Sequence, residues 1–541
     1  MLSLSQLLSS LLPFLVIVPV LIAVFLYVFA SMRYTRAIAV IVQAIFLIPT
    51  FLLLFVVREA EIVVSVGNYP GFLGIILRAD SLAATFVFLT VIIFLAVSIL
   101  TIRMPPDPTT RLFLFLLFLL EAVIIGLFLT RDFFNVFVLV EVSTVVVTIM
   151  LMYDRARRNL YSGMTFILVN IVIMQFYLFG LGYIYMLTGV LDMAAAAVAI
   201  AALDETAVAL PYALIMTSIA SKCSLLPMLT WLPKVNSLSG ARSTVSAIMS
   251  GLHIKSGIYL FIRFQDIFGG MATDLFLILG IFTAVSGILL ALAQTDMRLI
   301  LAYSTIAQVG LIVAGLSLGT GYSRIGSQFH IVNHALFKVA LFLCSGRIFF
   351  AYQTYDVRKI RGLLRTYPAM AWATILAILG IIGAPLFNGS MSKYLMLAGT
   401  SGVLEWIFIL INLGTILVFV RFSAMLFGSP IKALPKTATD YYGLSVIFVL
   451  GIACLALGVL GVPAVGLLFN ESVSFDIWGY LEKTAIFAVS LALGIILYKT
   501  VLSKRDILSS LNGLRLSFQK LIVSVCIVFA AILIYVGTVY G

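Results

Sequence analysis

The chain has little of what soluble proteins and redox centres are built from. Of its 541 residues only 10% are charged and three are histidine, against 63% hydrophobic. With a mean hydropathy of +1.22, this composition excludes a soluble globule. The four cysteines, Cys223, Cys344, Cys454 and Cys526, lack any C-x-x-C spacing. That leaves no basis for an iron–sulfur cluster or a disulfide framework, and they read as packing residues. There is no G-x-x-x-x-G-K-[ST] loop and no dinucleotide fingerprint, so no cofactor, neither ATP nor an electron carrier, is expected on this chain. The +12 net charge is sorted by loop and not gathered on one face, so nucleic acid is excluded as a partner and the lipid bilayer is the expected surrounding.

What is present is a succession of apolar runs about 20 residues long, the length that crosses about 30 Å of hydrocarbon. Sixteen such runs lie between residues 8 and 540, so the fold class is an all-α polytopic membrane protein. The first run, Leu8 to Ala30, is too long for a signal-peptide core and lacks a preceding basic flank, so it is expected to stay as a helix. If the N-terminus starts outside, the loops around Arg33, Arg103, Arg155 to Arg158, Lys234, Arg298, Arg358 to Arg365, Lys436 and Lys504 face the cytoplasm. Those loops hold about 22 of the Lys and Arg residues, the asymmetry that fixes orientation. Both termini are then expected outside a cell inner membrane.

Two runs look interrupted. The seventh contains Ser221-Lys222-Cys223-Ser224-Leu225-Leu226-Pro227 and Trp231-Leu232-Pro233, and the twelfth contains Gly383-Ala384-Pro385-Leu386-Phe387-Asn388-Gly389 ahead of Ser392-Lys393. Proline removes a helical donor and clashes with the preceding turn, so both helices are expected to break near a lysine. Paired interruptions five spans apart predict two repeats of opposite membrane orientation. The expected division is residues 1–110 for helices one to three, 111–265 for the first repeat, 266–428 for the second, and 429–541 for the C-terminal helices.

Ionisable groups are costly inside such spans, roughly 2.5–3.5 kcal/mol each at a span centre, and by default they mark an ion path. The chain keeps Lys222, Lys255, Lys338, Lys393, Glu121, Glu141, His253, His330 and His334 there. The densest group is Phe329-His330-Ile331-Val332-Asn333-His334-Ala335-Leu336-Phe337-Lys338 in the eleventh span. Positions i, i+4 and i+8 lie within about 80° of helical arc, so three ionisable groups share one face. A proton relay, a structural hydrogen-bond cluster and an i, i+4 metal pair all fit that face. The third lacks the Glu that follows the first His of a zincin, and no metal is assigned.

These same residues carry a resemblance. Asn333 to Lys338 resembles the N-H-A-L-F-K signature of the antiporter-like membrane subunits shared by respiratory complex I, Mrp-type Na+/H+ antiporters (their A-type and D-type subunits) and membrane-bound hydrogenase-type complexes. Asp296-Met297-Arg298 through Leu301-Ala302-Tyr303-Ser304 to Gln308-Val309-Gly310 resembles the family's D-x-R/K-x-x-L-A-Y-S-S-I-S-Q-x-G run. Lys255-Ser256-Gly257-Ile258-Tyr259 resembles its K-A-G-x-Y element, and Gly383 to Lys393 its G-x-P-x-x-x-G-F-x-S-K, with Ser390 where phenylalanine is usual. The resemblance covers roughly residues 75 to 425. After Trp231-Leu232-Pro233 the family commonly reads D-A-H, whereas this chain has Lys234-Val235-Asn236, which puts the family's cytoplasmic entry route in question.

The resemblance implies a fourteen-helix core with helices seven and twelve broken, plus about two further C-terminal helices. It also implies a central polar row: Glu141 paired with Lys222, then Lys255, His330, His334 and Lys338, ending at Lys393. Glu121 and His253 are accessory candidates. Glu121 either extends an entry site or snorkels, and His253 points to a different helix face from Lys255 two residues on. The link between the last two helices, with Lys504, Arg505, Arg515 and Lys520, is too short for a long lateral helix.

The chain has an ion path but no energy source, so partners must drive it. The resemblance implies other antiporter-like and small membrane subunits, and a peripheral redox module in which iron–sulfur or nickel–iron centres would reside. The expected function is an ion-translocating subunit, for protons, sodium or both, of a multisubunit membrane complex, with no catalysis of its own assigned. Two alternatives stay open: a subunit of a non-redox Mrp-type Na+/H+ antiporter, and a non-pumping membrane anchor whose polar residues only hold helices together.

Overall fold

The computed structural model describes residues 4–29, 34–68, 74–102, 108–153, 157–236, 243–430, 441–502 and 517–540. Arg33, Arg103, Arg155, Lys436, Lys504, Arg505 and Arg515 lie outside the described residues, as does the short link before the last helix.

Helices α1 (Leu4–Val28) and α2 (Thr35–Val56) are followed by a two-stranded antiparallel hairpin, β1 (Ile62–Ser65) and β2 (Ile76–Ala79). Then come α3 (Ser81–Thr101), α4 (Pro108–Leu129), α5 (Phe133–Met152) and α6 (Arg157–Thr188). The short helix α7 (Met193–Ala201) precedes α8 (Glu205–Lys222) and α9 (Trp231–Asn236). Next, α10 (Ser243–Ile248) continues through one π turn at Met249–His253 into α11 (Ile254–Ile267). The second half runs α12 (Thr273–Ala293), α13 (Met297–Leu316), α14 (Gly321–Tyr352), the single turn α15 (Leu363–Thr366), α16 (Pro368–Ile382), α17 (Asn388–Ala398) and α18 (Val403–Ser423). The chain closes with α19 (Tyr441–Val459), α20 (Gly461–Phe469), α21 (Ile477–Leu497) and α22 (Phe518–Val539).

Among the described residues, fourteen helical segments are long and apolar enough to cross a membrane. The seventh and twelfth expected spans are split, as their prolines require. One becomes α8 and α9, separated by residues 223–230, and the other α16 and α17 on either side of Gly383, whose φ is +76°. With these two broken crossings the all-α polytopic architecture has the sixteen spans that hydropathy predicts. The hairpin, α7 and α20 go beyond that reading. The span expected over 442–468 ends at Val459 and restarts at Gly461, with Pro463 in the first turn of α20, where a missing N–H costs nothing.

Acidic residues start several helices by accepting orphan amides. Asp80 accepts from the Ala83 nitrogen at 2.8 Å, Asp192 from Ala195 at 2.8 Å and Asp296 from Arg298 at 2.8 Å. Two of these caps recur in a pattern. Asp132 bridges to Asp192, and Asp296 to Asp356, each pair as an isolated antiparallel bridge. The long helix enclosed by each bridged pair matches as well: α6 and α14 both hold 32 residues, and Arg157 and Gly321 stand 164 residues apart, as do Thr188 and Tyr352.

Small residues let the backbones approach in the second half. A Cβ on Gly310 would meet the Ala284 nitrogen at 2.4 Å and one on Gly280 the Ala314 nitrogen at 2.6 Å, so α12 and α13 touch along a glycine–alanine seam. Helix α14 sits centrally, against α10, α13, α16, α17 and α19. Helix α21 packs on α18, and α22 returns to pack on α8 and α6.

The start of α1 and the end of α22 share one face, called the terminal face below. The hairpin after α2 lies there, with the Arg131 nitrogen donating to the Ile76 carbonyl, and Arg131 and Arg263 reach Asp80 beside it. At the start of α12, the Ala272 nitrogen donates to the Tyr540 hydroxyl at 3.1 Å. Arginines of this face are matched by acids, Arg78 with Glu61 and Arg324 with Asp266.

Candidate functional site

The break in the seventh span leaves Lys222 as the last residue of α8, where free carbonyls and the helix dipole favour a cation. The residue is 8% exposed. Its Nζ donates to the Asn170 Oδ1 on α6 at 2.7 Å and to the Thr144 hydroxyl on α5 at 3.0 Å. Glu141 stands on the same helix as Thr144, within electrostatic reach of Lys222, but the two form no contact ion pair. The expected Glu141–Lys222 pairing is electrostatic and not a contact: neutral oxygens accept the ammonium's hydrogen bonds, and among the described residues the Glu141 Oε1 is buried without a hydrogen-bond partner.

Next along the chain is the π turn at Met249–His253, a deviation that often re-aims side chains at functional sites. His253 faces α6, with its ring 6.5 Å from that of Phe166 and within electrostatic reach of Lys222. Lys255 is fully buried, donates to the Ser250 carbonyl, and is within electrostatic reach of His330, His334 and Lys338. The two residues therefore face different neighbours, as their spacing predicts.

On α14, His330, His334 and Lys338 are all fully buried on one face. The His330 Nδ1 lies 2.8 Å from the Ser392 hydroxyl and its Nε2 lies 2.9 Å from the Gln308 Oε1. Gln308 in turn donates to the Thr415 hydroxyl at 3.1 Å. His334 stacks near His330, ring centroids 6.3 Å apart, and among the described residues neither of its ring nitrogens has a hydrogen-bond partner. Lys338 donates to the Leu301 carbonyl at 2.8 Å and to the Ser304 hydroxyl, with its Nζ 5.8 Å from the centre of the Phe419 ring.

At the second break, Lys393 reaches back to the α16 terminus and donates to the Ile381 carbonyl at 2.8 Å. Its second acceptor is the Asn412 Oδ1 on α18 at 2.7 Å. Gly383 makes room, since a Cβ there would lie 3.2 Å from the Lys393 Cδ. In both halves, then, a lysine sits at the carbonyl end of a half-helix and takes an asparagine from a neighbouring helix. The structure brings Lys255, His330, His334, Lys338 and Lys393 together around α14 and places Lys222, with His253 beside it, toward α5 and α6.

Glu121 stands apart from this group. It is fully buried on α4 and accepts a hydrogen bond from the Gln43 amide on α2, while the Glu121 Oε2 and Gln43 Oε1 have no partner. It does not snorkel. Cys223, Cys344 and Cys454 are buried and Cys526 is exposed, all as free thiols. Among the described residues no three His, Cys, Asp or Glu side chains are grouped as a metal site.

Sequence reasoning missed the neutral partners Asn170, Thr144, Ser304 and Asn412, because a lone amide or hydroxyl in an apolar run carries no spacing signal. It also missed an ionic cluster at the terminal face. There Asp80 binds Arg131 at 2.9 Å and also Arg263, and Arg131 donates to the Tyr259 hydroxyl at 2.9 Å, one turn after Lys255. Burial alone would raise the Asp80 carboxyl, but the charges of Arg263 and Arg131 outweigh it and hold the group down at about 2.

Residues 130–419 match the family model described as NADH:quinone oxidoreductase/Mrp antiporter, TM. The chain is 31% identical over 392 residues to the D-type subunit of a Na(+)/H(+) antiporter of Alkalihalophilus pseudofirmus, covering 71% of this chain and 79% of that relative. It is 30% identical over 385 residues to the N-type subunit of an NADH-quinone oxidoreductase of Desulforudis audaxviator, covering 69% and 76%. Its fold is similar to a chain of the Mrp complex from Dietzia, with a TM-score of 0.78 at 22% identity, over 90% of this chain and 99% of that one. It is likewise similar to a chain of the membrane-bound sulfane sulfur reductase, an archaeal respiratory membrane complex, with a TM-score of 0.77 at 23% identity and the same coverage.

Proposed function

Because the chain belongs to the NADH:quinone oxidoreductase/Mrp antiporter membrane family, we propose that it is an ion-translocating subunit of a multisubunit membrane complex. Cations cross along Lys222, Lys255, His330, His334, Lys338 and Lys393, with Glu141 at one end and His253 beside Lys222. The observation that carries this reading is how the four lysines are held. All are buried, and carbonyl, hydroxyl and amide oxygens alone accept their hydrogen bonds. A static scaffold would neutralise a buried ammonium with a carboxylate, because an uncompensated charge in a dry interior is strongly destabilising. A lysine that gives up and regains its proton needs the neutral oxygens found here.

Glu141 supports the partner assignment. It is half-buried at mid-helix on α5, between the exposed Val138 and Val142. A carboxylate does not face lipid at that depth, so its open side fits against another membrane subunit of the complex. The matching Asp-capped bridges and the 32-residue helices α6 and α14 support two repeats of opposite orientation over 111–265 and 266–428. The terminal face is assigned to the outside of the cell inner membrane, because the described basic residues Lys234, Arg358, Lys359, Arg361 and Arg365 gather where spans end on the other face.

The driving partner is a peripheral redox module or, in the second reading, the other subunits of a non-redox antiporter, which the similarity to a Na(+)/H(+) antiporter component favours. Lys222→Ala and Lys393→Ala in the intact complex, assayed in membrane vesicles, test the path. Ion pumping is expected to fall to background with assembly retained. Normal pumping in both variants would leave the anchor as the surviving account.

A further inference from the structure

Helix α21 lies beyond the helices that carry the lysine row, yet it touches the end of that row. A cavity of about 40 Å³ separates α17, α18 and α21, bounded by Lys393, Asn412, Phe408, Lys483, Phe487 and Ser490. That volume is enough for about two or three waters, and Lys393, Asn412, Lys483 and Ser490 offer polar atoms to it among mostly apolar side chains. On its outer side Lys483 of α21 forms an ion pair with Glu405, in the first turn of α18. Their side chains are 19% and 30% exposed, and Lys483 is also 3.6 Å from Glu482, which is 68% exposed. Exposure therefore rises stepwise from Lys393 to Glu482.

This mouth opens on the terminal face. The loop before α18 lies there, since Thr320 donates to the Gly399 carbonyl at 3.2 Å and Arg324, one turn into α14, pairs with Asp266 at the end of α11. Among the described residues Lys393 has no acidic partner of its own, so the first carboxylate a departing cation meets across the cavity is Glu405.

We propose that α21 builds the exit of the lysine row: cations leaving Lys393 cross the small cavity and depart to the terminal face past Glu405, with Lys483 as the gate. The inference rests on the ion-translocating reading above. Its electrostatics are asymmetric. While Glu405 is present it compensates Lys483, and Glu482 leaves the mouth with an excess of negative charge. Without Glu405 only the largely solvated Glu482, 3.6 Å away, is left to offset the Lys483 ammonium, and the exit turns less favourable to the next cation; without Lys483 both carboxylates stand open and the gate is lost.

The experiment uses the intact complex in sealed vesicles. Glu405→Gln is expected to slow pumping about fivefold, the scale of a partly exposed ion pair, and Lys483→Gln to raise passive cation leak by a similar factor. A merely structural pair would make both variants alike in sign and size, and would overturn the exit. The second readout does not depend on transport. Ag+ added from the terminal face is expected to protect the Ser490→Cys thiol from later maleimide labelling in detergent, relative to the parent chain. Absence of protection overturns the exit. Lys393→Ala separates the two levels: if it leaves pumping intact, the row falls and the exit with it. If it abolishes pumping while Glu405→Gln and Lys483→Gln act alike or not at all, only the exit falls.

Discussion

Lys222 and Glu141 oppose each other without touching. The Lys222 Nζ gives its hydrogen bonds to Asn170 at 2.7 Å and Thr144 at 3.0 Å, one turn of α5 beyond Glu141. An ammonium held by neutral oxygens and merely watched by a carboxylate responds to that carboxylate's charge through space. The proton on Lys222 can therefore be biased without breaking a salt bridge, whose separation in a low dielectric would be costly.

Asn170 is consequently as important to this end of the row as Glu141. Asn170→Leu removes one acceptor from a buried ammonium, a loss of about 1–3 kcal/mol to whichever state carries the charge. Pumping by vesicles containing the complex is expected to fall at least tenfold, with native gels showing normal assembly. Asn170→Asp should act in the opposite sense, trapping the proton on Lys222 and stalling turnover while leaving the complex more resistant to heat. Normal pumping in both would remove Asn170 from the path.

The Asp80 cluster predicts an acid-dependent loss of stability. Its carboxyl lies at about 2, depressed from an ordinary 3.8, so the charged form is favoured in the folded state. The stabilisation is fully present above about pH 4 and disappears as pH falls toward 2, amounting to about 2 kcal/mol for a side chain that is 19% exposed. Asp80→Asn should lower the melting temperature at pH 7 and narrow the gap to the parent chain as pH drops through that window. A constant gap between pH 5 and 2.5 would show that Arg131 and Arg263 do not act through the carboxylate charge.

How far the sequence carries can be traced residue by residue. The spans, both helix breaks and every buried lysine and histidine are legible, because proline and charge each conflict with an apolar helix and the conflict is visible in one dimension. The α14 face is legible from its i, i+4, i+8 spacing alone. The Glu141–Lys222 contact is not, since whether two side chains from different helices meet depends on crossing angles and on Thr144 intervening. Asn170, Asn412 and Gln308 hold their partners from other helices, and single neutral residues cost too little to stand out. Lys483 lies near the start of α21, where a lysine reads as one that snorkels to the interface.

Glu121 and Gln43 form a pair whose role can be read from its deletion pattern. Gln43→Leu leaves the Glu121 carboxyl without its donor and should destabilise by about 1–3 kcal/mol, whereas replacing both with apolar residues, Gln43→Leu with Glu121→Met, should recover most of that loss. Thermal stability of the purified complex reports the first part. If the double variant is as stable as the parent yet pumps poorly, Glu121 belongs to an entry branch from α2. Stable and fully active, it would be a helix tie only.

His334 gives the cleanest separation of transport from scaffolding. It is fully buried, yet neither ring nitrogen is bonded to protein. A buried imidazole with both nitrogens unbonded predicts ordered water beside it, near Lys255, Lys338 and His330, with which His334 is in electrostatic reach. Because no protein hydrogen bond is lost, His334→Phe is expected to cost the fold little while removing the ring nitrogens that would bind such water. The expected result is unchanged assembly and melting temperature with pumping reduced at least tenfold, since a relay with one wet station removed has to span the full distance from Lys255 to Lys338. An experimental map of the parent complex should show ordered water at the imidazole. A dry His334, together with full pumping by His334→Phe, would mean that ions cross by another path and that the α14 face is structural.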